Sequence, residues 1–218
     1  MVAASDLTLD ELRPVLAPDI ARAAIFDGWS RKAVDSTAER AGVDLDVARL
    51  AFGEGPMQMI GAWVTSVDGA MEQEFSAEAL SLMPIRERIR ILVLFRLETV
   101  AGLEEAVRRA LAIQAMPQNA LASLKLGWSS ADAMWRLAGD TATDYNHYSK
   151  RAILAGIYAA TLAVWVDDAS ESKRNTREFL DRRIEGVMKF EKAKARLLRD
   201  REGFSITRFL GRLRYPPR

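Results

Sequence analysis

Residues 30–56 read SRKAVDSTAERAGVDLDVARLAFGEGP, and this stretch decides the fold. Ser30 is placed to cap a helix running to Ala41, and Gly42 to stop it. Asp44 caps a second short helix through Phe52, which Gly53-Glu54-Gly55 breaks. Pro56 suits the first turn of a longer helix, where its missing N–H is not needed. Short helix, Ala-Gly-Val turn, short helix is helix-turn-helix spacing.

Working outward, the period stays helical and no alternating strand stands out. Upstream, residues 1–27 read as one or two short helices interrupted at Pro14 and Pro18. Downstream, Met59, Ile60, Trp63, Val64 and Val67 share one side of a helix from Pro56 to about Phe75. Another begins at Pro84 and carries Ile85, Ile89, Leu92, Val93 and Leu97. Gly102 and Pro117 bracket Leu103–Met116, and Asn119 caps a helix reaching Ala138. Asp144 caps Tyr145–Val166, and a charged amphipathic helix runs from Thr176 to about Glu202. Gly203 reads as a joint before a last short helix, Ser205–Arg214. The expectation is an all-α chain of about ten helices. It comprises a helix-turn-helix head over 1–56, a larger bundle over 57–203 and a terminal amphipathic helix over 204–218. That is the plan of the tetracycline-repressor-like fold.

Composition narrows the chemistry. The 218 residues include no cysteine, which excludes disulfides and thiolate chemistry. His147 is the only histidine, so a multi-His metal site is excluded. The formal net charge of +1 conceals an asymmetry. Residues 1–170 carry 16 Lys+Arg against 23 Asp+Glu, whereas residues 171–218 carry 15 against 7. A basic tail on an acidic body points to an anionic partner, either nucleic acid or phospholipid. No apolar run approaches the roughly 18–20 residues of a membrane span, and the start lacks the pattern of a targeting peptide. The expected location is cytoplasmic, with peripheral attachment to the inner membrane.

The second helix of the head is a poor DNA reader. Its first turn presents Asp44 and Asp46, and residues 28–55 hold 4 cations against 5 acids. Phosphate contacts supply most non-specific affinity, and this face lacks them. The head reads as a structural relic, with DNA an unlikely partner.

Residues 132–184 carry a dense pattern. It includes Met134-Trp135, Gly139-Asp140, Thr143-Asp144-Tyr145-Asn146-His147-Tyr148, Arg151, Ile157-Tyr158, Trp165, Asp168 and Arg183-Ile184. With Phe26-Asp27-Gly28-Trp29-Ser30, this closely resembles the coenzyme Q biosynthesis protein 9 family. The resemblance implies a homodimer with a repressor-like fold, no catalytic centre and no cofactor. It implies an isoprenoid quinone-like lipid held in the bundle and attachment to a membrane through the last helix. It further implies delivery of quinone intermediates to a hydroxylase. Mitochondrial members have Asn-Trp-Tyr where this chain has Asn146-His147-Tyr148, which leaves a di-iron or a flavin hydroxylase open as the partner.

The residues themselves supply three candidate sites. Met134, Trp135, Leu154, Ile157, Tyr158, Leu162 and Trp165 form an apolar set at helical spacing, either plain core or the lining of a slot for an isoprenoid quinone or phospholipid. Met134, Leu137, Asn146, His147 and Tyr148 make a candidate hydroxylase-facing patch. Ile206, Phe209, Leu210 and Leu213 fall within an arc of about 100°, with Arg208, Arg212 and Arg214 on the other sides. That is the pattern of an interfacial helix on a membrane surface, or of a docking helix. Asp132 and Asp140 are read as partners of Arg151 or Arg136 at a helix junction. The overall expectation is a non-enzymatic lipid-binding accessory protein of ubiquinone biosynthesis. The alternative is a repressor-like transcriptional regulator sensing a small apolar ligand.

Overall fold

Thr8 and Glu11 open the first helix by closing a capping box: the Thr8 hydroxyl accepts from the Glu11 N–H, and the Glu11 carboxylate accepts from the Thr8 N–H at 2.9 Å. A computed structural model describes residues 7–141 and 145–203. In it, α1 (Leu9–Asp27) is one continuous helix that runs through Pro14 and Pro18, where the sequence suggested breaks. Each proline removes one backbone donor. The helix survives because Leu12, Leu16, Ala17, Ile20, Ala21 and Ala24 are buried along its length. Packing thus outweighs the lost hydrogen bonds.

α2 (Arg31–Ala41) and α3 (Leu45–Ala51) form the helix-turn-helix. Gly42 closes α2 at φ 67°, ψ 27°, a left-handed conformation open to a residue without Cβ. Asp44 caps α3, accepting from the N–H groups of Asp46 at 2.9 Å and Val47 at 3.1 Å. Ser30 stands at the cap position of α2, but its hydroxyl makes no capping bond.

The bundle follows as α4 (Pro56–Glu74), α5 (Ala77–Ser81), α6 (Ile85–Thr99), α7 (Glu104–Gln114), α8 (Ala120–Leu137), α9 (Tyr145–Asp167) and α10 (Arg174–Gly203), with 3-10 turns at Pro117–Asn119 and Glu171–Lys173. The described residues therefore contain ten α-helices and no strand. The short α5 was not anticipated; the Ser76 hydroxyl caps it by accepting from Ala79 N–H at 3.2 Å. The Asp144 cap and the expected terminal helix over 205–214 lie outside the described residues.

α1 lies across α2 and α4, α8 pairs with α9, and α10 rests on α9 and α6. One apolar cluster runs from Leu12 in α1 to Ile184 in α10. Trp29, just before α2, ties the head to the bundle: its indole N–H donates to the Ala106 carbonyl at 3.0 Å, and its ring lies 5.3 Å from that of Trp63.

Asp168 secures the turn into α10. One carboxylate oxygen accepts from the Ser170 N–H and hydroxyl at 2.9 and 2.6 Å; the other accepts from the Thr176 N–H and hydroxyl at 2.8 and 2.6 Å. Burial pushes the pKa up, but these donors prevail and hold it well below the usual carboxylate range. As pH falls through about 4, the unfolded chain takes up the proton first and the folded chain resists it, so stability is lost progressively. The difference in urea midpoint between pH 6 and pH 3 should therefore be smaller in Asp168→Asn than in the parent protein.

Candidate functional site

Two cavities stand out among the described residues of the bundle. The larger, about 970 Å³, is bounded by α4, α6, α7, α8 and α9. Trp63, Val64 and Val67 line it from α4, Leu111 from α7, Leu124 and Trp128 from α8, and Tyr158 and Leu162 from α9. Its existence follows from side chains that are small where two helices meet. α9 contributes Ala152, Ala155, Gly156 and Ala159 to the wall, and α8 contributes Gly127, where an added Cβ would sit 3.9 Å from that of Ala155. Space that Leu or Phe would fill is left open. Concave, mostly apolar volumes of this size are typical of small-molecule sites.

The smaller cavity, about 450 Å³, lies among α6, α8, α9 and α10. Ile85, Ile89, Ile153, Leu154, Ile157, Ile184 and Met188 give it an apolar floor, while Arg86, Arg88, Asp140 and Lys150 add charge.

A polar junction fixes α9 against α8 beside the smaller cavity. Arg151 is buried; its Nε donates to Asp132 at 2.6 Å, and its Nη1 to Asp140 at 3.0 Å and the His147 carbonyl at 3.1 Å. Lys150 Nζ donates to the second Asp140 oxygen at 2.6 Å, and Arg136 lies 3.3 Å from Asp132. Asp132 and Asp140 are thus the junction partners that the sequence suggested. Gly139, at φ 84°, makes the turn; a Cβ there would stand 3.4 Å from Arg88 Nη1. Arg88 also donates to the Ala138 carbonyl at 2.7 Å.

The helices that carry this geometry are also the ones with known relatives. Residues 120–191, spanning α8, α9 and the first part of α10, match the COQ9 family model. The ubiquinone biosynthesis protein COQ9, mitochondrial, of Rattus norvegicus is 35% identical over 168 residues, 74% of this chain and 54% of that protein. Over these helices the chain is similar to the COQ9 family. The Homo sapiens COQ9 is 33% identical over 168 residues, covering 74% of this chain and 52% of that protein. The chain spans about half the length of these COQ9 relatives. A crystal structure of a TetR transcriptional regulator from Nitrosomonas europaea superposes with a TM-score of 0.62 at 24% identity, covering 80% of this chain and 96% of that one. A COQ9 match and a TetR-like fold therefore coexist in one all-α chain.

The sequence-derived apolar set divides within this bundle. Tyr158 and Leu162 line the larger cavity; Trp135, Leu154 and Ile157 line the smaller. Met134 and Trp165 line neither and are buried core, Trp165 lying beneath Lys173 Nζ at 4.6 Å. The set is therefore not a single slot, because neighbouring positions on α9 face different sides of the bundle. Sequence reasoning missed the small residues of α9 and the α4 side chains Trp63, Val64 and Val67. An Ala/Gly run on α9 was the available signal.

The candidate partner patch also divides. Tyr148 is 62% exposed; its ring packs at a tilt against Trp128 and edge-to-face against His147, at ring separations of 5.9 and 5.1 Å. Leu137 is half-buried, and Met134 is wholly buried, so Met134 presents nothing to a partner. The side chain of Asn146 lies outside what the structure describes.

In the head, Arg49 is the only cation of α3, and it is already engaged. It donates to Asp35 at 2.8 and 3.0 Å and to Asp46 at 3.3 Å. The hydrogen bond from Arg49 holds the Asp35 carboxyl below its ordinary range. α3 also exposes Val47 and Leu50.

The two cavities make separable predictions. Leu162→Trp should fill the larger cavity and cut binding of the hydrocarbon dye diphenylhexatriene at least tenfold, with the thermal midpoint little changed. Leu154→Asp places a charge at a residue only 2% exposed and should cost several kcal/mol in urea unfolding.

Proposed function

We propose that this chain is a non-enzymatic, lipid-binding accessory protein of ubiquinone biosynthesis. It holds an isoprenoid quinone intermediate or a phospholipid in its larger cavity and presents it to a membrane-associated hydroxylase. The observation that carries this reading is the apolar cavity walled by α8 and α9, the helices of the COQ9 match. The names of the relatives, which place them in ubiquinone biosynthesis, support the pathway. The ring cluster of half-buried Trp128 and His147 with exposed Tyr148 offers a surface for the hydroxylase. Leu121 and Leu124, 67% and 72% exposed on α8, offer one for a second copy of the chain.

No described helix is long and apolar enough to cross a membrane. The membrane contact proposed here is peripheral, at the inner membrane from the cytoplasmic side. It uses Ile206, Phe209, Leu210 and Leu213 with the flanking arginines, whose sequence pattern is that of an interfacial helix. The TetR-like fold favours a second reading as a ligand-sensing transcriptional regulator. Against it stand the acidic start of α3 and an Arg49 already neutralised by Asp35 and Asp46.

Native mass spectrometry of the purified chain should detect a co-purifying isoprenoid or phospholipid; protein that is always lipid-free would count heavily against the proposal. The chain should float with anionic vesicles, and deletion of residues 204–218 should reduce flotation while leaving a folded protein. Equal flotation of the truncated form would remove the tail from the account. In electrophoretic shift assays at physiological salt, the parent should show no sequence-specific DNA binding. Replacing Asp44 and Asp46 by Lys should raise its non-specific affinity. Nanomolar binding of the parent to a defined promoter would favour the regulator.

A further inference from the structure

Arg96 of α6 is only 1% exposed, yet it forms part of the wall of the larger cavity. Its guanidinium is held on several sides. Nη1 pairs with Asp68 of α4, Nη2 donates to the Ser130 hydroxyl at 3.0 Å, and the Tyr158 ring lies 4.9 Å away. The Nε–H is different: it is buried and has no acceptor among the described residues. Nothing else in the wall resembles it. Among the described residues, Arg96 is the one charged residue lining this cavity. Of the other polar liners, Gln114 and Ser123 donate to backbone carbonyls, Ala110 and Gln114 respectively, and Ser130 accepts from Arg96 itself; Tyr158, Trp63 and Trp128 also bring polar atoms to the wall, but none is a buried donor left without a partner. A buried donor without an acceptor carries its full desolvation penalty, and a ligand oxygen would relieve it.

We propose that Arg96 is the specificity-determining residue of the larger cavity, and that it selects apolar molecules bearing a neutral oxygen acceptor at one end, such as a quinone carbonyl or a phenol. The inference rests on the cavity holding an apolar ligand, as proposed above. Neutrality of the acceptor follows from Asp68. The carboxylate already balances the guanidinium, so a carboxylate or phosphate entering the cavity would bring uncompensated negative charge into apolar surroundings. A pure hydrocarbon would fill the volume and leave the Nε–H unpaired. Fatty acids and phosphate-bearing headgroups are therefore disfavoured at this end, and neutral carbonyl or phenolic rings are favoured. Ser130 and Tyr158 hold the guanidinium in place and act as positioning residues.

The test is displacement of diphenylhexatriene from the delipidated full chain by three probes: hexyl-1,4-benzoquinone, hexylbenzene and octanoate. The chain has no cysteine, so the quinone has no thiol to alkylate. The expected result is at least tenfold tighter binding of the quinone than of hexylbenzene, with octanoate weakest. The double variant Arg96→Met/Asp68→Leu removes both charges together and avoids a stranded carboxylate. It should bind hexylbenzene like the parent and lose the tenfold preference. Equal binding of quinone and hexylbenzene to the parent overturns the proposal, whether or not the double variant folds. So does a preference that survives in a folded double variant. Octanoate binding most tightly overturns the neutral-acceptor assignment. Failure of the parent to take up diphenylhexatriene or any probe overturns the lipid-binding reading itself, and the role of Arg96 with it.

Discussion

A guanidinium buried between two helices must be neutralised where it lies, and Arg151 is met by Asp132 on α8 and by Asp140 at the end of the turn after it. This arrangement determines how α9 leaves α8. Removing either acid would leave the charge partly uncompensated in an apolar setting, so the crossing has little freedom to shift. With α9 anchored at its beginning, the rest of the helix cannot slide to close gaps further along. There its side chains are Ala155, Gly156 and Ala159, and the gap remains as a cavity. A polar contact at one end and small residues beyond it thus produce an internal volume that neither would create alone.

The local features of the fold were legible because they are written in adjacent residues. Gly42, Asp44 and Pro56 act through their own backbone or a donor two or three positions away, and each occurs where the pattern placed it. The prolines of α1 misled because their cost is local, whereas the compensating burial of Leu12, Leu16 and Ile20 is tertiary. The site was less legible. Periodicity reports which residues are apolar and which face they share; it does not report whether the opposing volume is occupied. Met134 and Trp165 look like Tyr158 and Leu162 in sequence, but the first pair meets filled space and the second meets open space. A cavity is made by atoms that are missing, so its strongest sequence trace is alanine and glycine rather than the large residues first chosen. The pairing of Asp132 and Asp140 with Arg151 was readable because burying a long cation almost requires nearby acids.

The helix-turn-helix of the head is also a packing element. Its turn and the caps at Gly42 and Asp44 are intact, and its core residues Ala33, Val34, Ala38, Ala48 and Ala51 are buried. What differs is the outer face of α3, where a single cation is held by acids of its own head. The motif retains a packing role through Trp29, which reaches α7 by a hydrogen bond and α4 by ring contact. Fold and interaction surface are therefore set by different residues of the same short segment.

The distribution of the five tryptophans has a practical consequence. Trp63 and Trp128 border the larger cavity, Trp135 borders the smaller, and Trp29 and Trp165 are buried away from both. Each internal volume therefore carries its own native chromophore. A quenching ligand that enters one volume dims a different indole from a ligand that enters the other, so single Trp→Phe replacements turn the intrinsic emission of the protein into a map of occupancy without any attached label.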